Sequence, residues 1–246
     1  MVLTVHHLGI SQSERIVFLC EELSIDYKLV KHTRDPILAP ASLKIKGNET
    51  GKAPFIEDPE AGVTLSESGA IVEYILARNA AGELGGYRGE KKLSKKYGEK
   101  GYVDYIYWFH YANAGLLPAF TVVIFLELSA LPKNDQTKEM AYQQLHASLK
   151  HVDERLGKAK WLAGDDFTAA DIMVVYSLTT LRYYGPAVSF KDYRNIMRYL
   201  KDIGARPAYQ RAMEKGDPEM KLLLGEDAPE KTLLEDGGIK SDVWKK

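Results

Sequence analysis

The feature that most constrains this chain is a change of pattern near residue 90. Up to about residue 85, strand and helix signals alternate. Residues 2–8 read as a short strand, and 13–23 place Ile16, Val17, Leu19, Cys20 and Leu23 at helical spacing, with Ser11 and Ser13 as candidate caps. Residues 26–31 alternate polar and apolar side chains, which suits a second strand. A loop with Pro36 and Pro40 leads to a weak helix at 41–45. Residues 51–59 turn into a third strand, 62–65 form its hairpin partner, and a helix starts at Ser66, Glu67 and Ser68. Beyond residue 93 the strand signals vanish. Amphipathic segments at 93–128, 136–156, 169–183, 192–203 and 207–214 predict helices only. The chain therefore divides into an α/β domain at 1–85, an all-helical domain at 93–225 and a charged tail at 226–246, either disordered or wrapped on the surface. A polar linker with Gly82, Gly85, Gly86, Gly89 and Lys91 joins the two domains.

Composition narrows the functional classes. With 246 residues, 45% of them hydrophobic, the chain can bury a sizeable core. Its 33 Lys and Arg against 34 Asp and Glu leave no basic excess for phosphate neutralisation, so no nucleic-acid role is expected. The start lacks a secretory pattern, and the longest apolar run, 116–126, is interrupted by Pro118, so no membrane span is expected. Cys20 is the single cysteine, which excludes an intrachain disulfide and a C-x-x-C pair. No His, Cys or carboxylate grouping has metal-ligand spacing, and no metal is expected. The profile is that of a cytoplasmic protein.

Three short motifs carry chemistry. In Leu8-Gly9-Ile10-Ser11-Gln12-Ser13-Glu14-Arg15, Ser11 sits where a strand ends and a helix begins. A hydroxyl there either caps the helix or donates to an anion favoured by the positive helix end. In Lys52-Ala53-Pro54-Phe55, a proline opens a strand. A cis bond there would present the Ala53 main chain to an extended peptide, whereas a trans bond would be an ordinary turn proline. In Leu65-Ser66-Glu67-Ser68-Gly69, a carboxylate and a hydroxyl open a helix. They suit the ammonium and carboxylate of an amino-acid head group, or a plain helix start.

Taken in this order, the motifs make residues 1–80 resemble the N-terminal, thioredoxin-like domain of the glutathione transferases. The Ser-Gln-Ser-Glu-Arg stretch resembles the Ser-Gln-Pro-x-Arg pattern of the theta class. The resemblance implies Ser11 as the thiolate-activating residue, with Ser13 as its rival. It implies Ala53 and Pro54 as the backbone contact to the cysteinyl unit, Glu67 and Ser68 as the γ-glutamyl clamp, and Lys52 as a carboxylate partner. It also implies glutathione as co-substrate, a hydrophobic electrophile as second substrate, a homodimer and a detoxifying role, with peroxide reduction as a second activity. A non-catalytic binding or assembly module on the same fold is the alternative.

The later segment Gly164-Asp165-Asp166-Phe167-Thr168-Ala169-Ala170-Asp171 resembles the start of the core helix of this superfamily. Thr168 and Asp171 form a capping box there, so Asp171 is expected to serve folding. The stretch 105–115 is similar to the aromatic helix of fungal and bacterial transferases. Tyr105, Trp108 and Tyr111 are its candidates for substrate contact, and Asp104 could reach a glutathione amine across a dimer interface. His110 is expected to be a hydrogen-bonded core residue, and Cys20 a buried, inert thiol.

Overall fold

The computed structural model describes residues 2–85 and 92–246. The linker residues Gly86, Gly89 and Lys91 lie outside the described part. Two compact units emerge. The first comprises residues 1–94, 205–221 and 233–246, and the second 95–204 and 222–232.

The first unit is built on a four-stranded sheet of order β2-β1-β3-β4. β1 (Leu3–Leu8) pairs in parallel with β2 (Tyr27–His32) and antiparallel with β3 (Phe55–Asp58), which pairs antiparallel with β4 (Val63–Ser66). The parallel pair requires a crossover, supplied by α1 (Glu14–Leu23). Ile16, Val17, Leu19, Cys20 and Leu23 of α1 are buried, as their spacing requires, and burial pushes the Cys20 thiol pKa upward. α2 (Ser68–Ala80) follows β4 and buries Ile71, Val72 and Ile75. The weak helix expected at 41–45 is a single tight turn, Ala41–Leu43, with only Leu43 buried. One apolar residue cannot anchor a longer amphipathic helix.

The contacts of α8 (Pro207–Gly216) divide the units differently from chain order, because this helix packs on α1. Arg206 donates twice to Glu22, at 2.7 and 2.9 Å, and Arg211 donates to Glu21 at 2.9 Å. The Phe18 and Tyr209 rings meet edge-on at 5.2 Å. The last residues also join the first unit. Leu233 and Trp244 are buried, and Ile239 N–H donates to the Pro36 carbonyl at 2.9 Å.

The second unit contains helices α3 (Tyr102–Tyr111), α4 (Leu117–Glu127), α5 (Gln136–Lys158), α6 (Ala169–Leu178) and α7 (Arg194–Gly204). α6 is buried along its whole length. Its start carries the expected capping box: Thr168 N–H donates to Asp171 at 2.9 Å, and Leu162 N–H donates to the other carboxylate oxygen at 3.0 Å. Burial raises the Asp171 carboxyl to about 6 despite these bonds. The start of α7 is satisfied from α5, where Asp153 accepts from the N–H groups of Asn195 and Ile196 at 2.8 and 2.9 Å.

A wider π turn, Ala112–Leu116, joins α3 to α4, so that Tyr102–Glu127 is one helical stretch of 26 residues. By length and composition alone this stretch is apolar enough to cross a membrane, a test that the core helices of soluble proteins also meet. The sequence shows no unbroken apolar run there because His110, Asn113 and Thr121 interrupt a stretch whose average remains apolar. Within the unit it packs against α5 and α6 through Ala112, Leu116, Phe120 and Val123.

Candidate functional site

The three N-terminal motifs meet within the first unit. The turn between β1 and α1 is held in an unusual backbone conformation. Ile10 has φ 52°, a left-handed value that a β-branched side chain rarely adopts. Two charged groups support it: Asp217 accepts from Ile10 N–H at 3.1 Å, and Arg34 donates to the carbonyls of Gly9 and Ile10 at 2.9 and 3.0 Å. Strain of this kind persists only where the surroundings over-determine it, and it clusters at ligand clamps and active sites.

The turn presents two hydroxyls. Ser11 Oγ donates to the Leu8 carbonyl at 2.7 Å, accepts from Ser13 N–H at 3.2 Å and lies 2.7 Å from Ser13 Oγ. Ser11 thus closes the turn just before the helix, and among the described residues no side chain caps the start of α1. Ser13 instead points back to β1. Its oxygen accepts from Leu8 N–H at 3.1 Å and sits 2.9 Å from His7 Nδ1, and His7 Nε2 donates to Asp217 at 3.0 Å. Ser13 is fully buried, and Ser11 keeps 5% of its surface accessible.

The first and third motifs are tied together by Arg15. Its guanidinium donates to Gln12 Oε1 at 2.9 Å and to Ser68 Oγ at 3.1 Å. Ser68, at the start of α2, is buried. Glu67 before it has φ 75° and an exposed carboxylate, so its strained backbone sits directly against the helix start. The Ala53–Pro54 bond is cis, just before the β3 ladder begins at Phe55. Asn48 organises this loop by donating to the carbonyls of Leu43 and Lys52 at 2.8 and 2.9 Å, while the Lys52 side chain is exposed.

Two family models of glutathione S-transferases cover most of the chain: the N-terminal domain at residues 6–83 and the C-terminal domain at residues 111–207. The chain belongs to the glutathione transferase superfamily. Glutathione S-transferase 3 of Schizosaccharomyces pombe is 28% identical over 228 residues, covering 87% of this chain and 88% of that protein. A glutathione S-transferase structure from Actinobacillus pleuropneumoniae matches with a TM-score of 0.74 at 28% identity, covering 88% of this chain and 93% of that one. A glutathione transferase homologue from Lodderomyces elongisporus, solved with two glutathione molecules per subunit, matches with a TM-score of 0.67 at 20% identity over 87% of this chain and 99% of that one. At that identity the likeness speaks for the fold.

In this superfamily member the aromatic helix behaves differently from its sequence expectation. Tyr105 and Trp108 are buried inside the second unit, at 8% and 2% exposure, and so leave little ring surface for a substrate. Together with Ala112 they form the inward stripe of the helix. Tyr111 is half-buried. It stacks on Tyr107 at 5.7 Å and meets His151 edge-on at 5.3 Å, and its ring lies over Gly115, where a Cβ would stand 2.3 Å from Tyr111 Cε2. His110 falls on the opposite face and is exposed, which corrects the expected core histidine. Asp104 accepts from Arg155 at 2.8 Å within its own unit. Among the described residues, no group of three His, Cys, Asp or Glu side chains is placed to hold a metal.

Three participants escaped the sequence reading: His7, Arg15 and Asp217. Arg15 stands within the first motif, yet its partner Ser68 lies 53 positions away. Asp217 follows α8 and approaches His7 from 210 positions away, so no local spacing announces it.

Proposed function

We propose that the protein is a glutathione-dependent transferase in which Ser11 holds the sulfur of glutathione as a thiolate and presents it to a hydrophobic electrophile. The observation that carries this reading is the Arg15 bridge. It fixes the Ser11 turn against the Ser68 helix start, so a hydroxyl and an amino-acid clamp are built as one piece. Ser11 is favoured over Ser13 because Ser13 is fully buried and already engaged by Leu8 and His7.

The energetics suffice. A free thiol with a pKa near ~8.5 is only a few per cent ionised at neutral pH. Lowering it by about two units requires roughly 2.7 kcal/mol. A hydrogen bond to a charged acceptor supplies about 1.5–3 kcal/mol, and the start of α1 adds about 0.3–1 kcal/mol. When glutathione arrives, Ser11 must turn its hydrogen away from the Leu8 carbonyl, so that the hydroxyl is free to engage sulfur.

The clamp is read as Glu67, Ser68 and the start of α2 for the γ-glutamyl head, the Ala53 main chain for the cysteinyl unit, and Lys52 for the terminal carboxylate. Tyr111 is the remaining aromatic candidate for the electrophile. Peroxide reduction by the same thiolate, a homodimer and a cytoplasmic setting belong to this reading as well. Light scattering tests the dimer.

Ser11→Ala tests the central assignment. Turnover with a chromogenic aryl halide should fall about 10- to 100-fold, the equivalent of the lost charged hydrogen bond. Glutathione affinity should change little, because the clamp survives. Near-native turnover in this variant would overturn the assignment.

A further inference from the structure

We propose that His7, backed by Asp217, is the proton acceptor for the glutathione thiol, reached through the hydroxyls of Ser13 and Ser11. The inference rests on the reading of Ser11 as the residue that meets sulfur. Its geometry is continuous: Ser11 Oγ to Ser13 Oγ is 2.7 Å, Ser13 Oγ to His7 Nδ1 is 2.9 Å and His7 Nε2 to Asp217 Oδ2 is 3.0 Å. Every member of the chain is buried.

The hydrogen positions follow from the partners. An ionised carboxylate only accepts, so the neutral imidazole carries its hydrogen on Nε2 and offers a lone pair at Nδ1. Ser13 then donates to Nδ1 at 2.9 Å, nearer than the Leu8 carbonyl at 3.2 Å, while its oxygen accepts from Leu8 N–H. Asp217 is itself fixed by Ile10 N–H through its other oxygen. Two glycines permit this packing. A Cβ at Gly9 would stand 3.2 Å from Asp217 Oδ1, and one at Gly216 would stand 3.1 Å from His7 Nε2.

The transfer balances. The S–H bond breaks and its hydrogen joins Ser11 Oγ. Ser11, whose hydrogen turns from the Leu8 carbonyl to Ser13 Oγ as sulfur arrives, passes it to Ser13, and Ser13 passes its own to His7 Nδ1. One S–H bond is lost, one N–H bond is gained and both serines end neutral. The products are a thiolate and an imidazolium paired with the Asp217 carboxylate. In that state Nδ1–H, Ser13 and Ser11 all donate in the direction of sulfur, and aligned donors strengthen one another. Other charged groups near the pair are Lys31 and His32 of β2 with Glu219 and Lys245 of the C-terminal segment, which line a cavity of about 330 Å³ bordering His7 and Asp217. Burial, then the charges of His6 and His7, hold the His32 imidazole below its ordinary pKa. Arg34 faces the same turn through the Gly9 and Ile10 carbonyls.

The test pairs thiolate absorbance with proton release on adding glutathione in weak buffer just above neutral pH, where an imidazole starts neutral, for the full chain, His7→Gln and Asp217→Asn. The wild type should form the thiolate while releasing well under about one proton per thiolate, because the protein retains it. Both variants should lose about tenfold or more of the thiolate, and what remains should release its proton to solvent. Asp217→Asn is informative because an amide facing Nε2 selects the opposite tautomer, which keeps a donor toward Ser13 but removes the acceptor. S-methylglutathione, which has no ionisable thiol, should bind both variants within about twofold of the wild type, reporting an intact fold and clamp. Wild-type thiolate and proton release in either variant would overturn the relay and leave the Ser11 reading standing. Loss of S-methylglutathione binding in both variants would also overturn it, in favour of a structural role for the pair. If the wild type itself binds neither glutathione nor its S-methyl derivative, the transferase reading fails and the relay with it.

Discussion

At the scale of single residues, the proposed site sets exposed charges beside buried hydrogen-bonding groups, and the two should respond differently to substitution. Glu67 contributes an exposed carboxylate, and exposed ion pairs are worth about 0–1 kcal/mol, so Glu67→Gln should weaken glutathione binding only a few-fold. Ser68 is buried and receives Arg15, so Ser68→Ala deprives a buried guanidinium of an acceptor. It should destabilise the fold by about 1–3 kcal/mol and weaken glutathione more than Glu67→Gln does. Calorimetry on both variants checks the order, and the reverse order would mean that the carboxylate dominates the clamp. Gly115→Ala should disturb the second substrate rather than glutathione, because its Cβ would collide with the Tyr111 ring. If Tyr111 contacts the electrophile as proposed, the Michaelis constant for that substrate should rise about two- to tenfold while that for glutathione holds, and an unchanged constant would refute the contact.

At the scale of elements, the most local signals were the most legible. The Thr168–Asp171 box is contained within four residues, and it opens α6 where the spacing predicts. The helix expected at 41–45 failed because a weak pattern held one buried side chain. His110 failed for a related reason: the stripe of Tyr105, Trp108 and Ala112 decides which face is inward, and His110 lies off it. Asp171 gives this scale a pH prediction. Its folded carboxyl titrates near 6, above the ordinary aspartate value, so the native state keeps a proton that the unfolded chain gives up. This contribution to stability is fully present below about pH 4 and is lost as pH rises through 6, on the order of 3 kcal/mol across that window. Asp171→Asn should be less stable throughout, since an amide nitrogen must face a donor, but its stability should decline less from pH 4 to 6. Parallel denaturation curves for the two proteins across that window would contradict this.

At the scale of the whole molecule, the chain does not end where its second domain ends. Of the residues that read as a charged tail, 233–246 return to the first unit. Lys221 N–H donates to the Trp244 carbonyl and Lys246 N–H to the Glu219 carbonyl, both at 2.8 Å, and Leu233 and Trp244 are buried. Sequence patterns could not show this return, because the tail has no periodic element of its own and its partners are far away in the chain. The same distance concealed Asp217, whereas the turn at Ser11, the cis Pro54 and the helix start at Glu67 and Ser68 each lie within a short motif. Removing residues 233–246 should forfeit the burial of Leu233 and Trp244, worth about 1.5–3 kcal/mol each, and uncover the surface they pack on, lowering the melting temperature by on the order of 10 °C. An unchanged melting temperature would mean that the returning segment adds nothing to the first unit.

The central claim is that the first unit binds glutathione and keeps its sulfur ionised through Ser11. A pH titration of thiolate absorbance, with glutathione saturating the wild type and Ser11→Ala, tests it most directly. The wild type should show an apparent thiol pKa about two units below the free value of ~8.5, and Ser11→Ala should return most of that shift. A bound thiol that titrates like free glutathione in the wild type, or an equal shift in both proteins, would contradict the account.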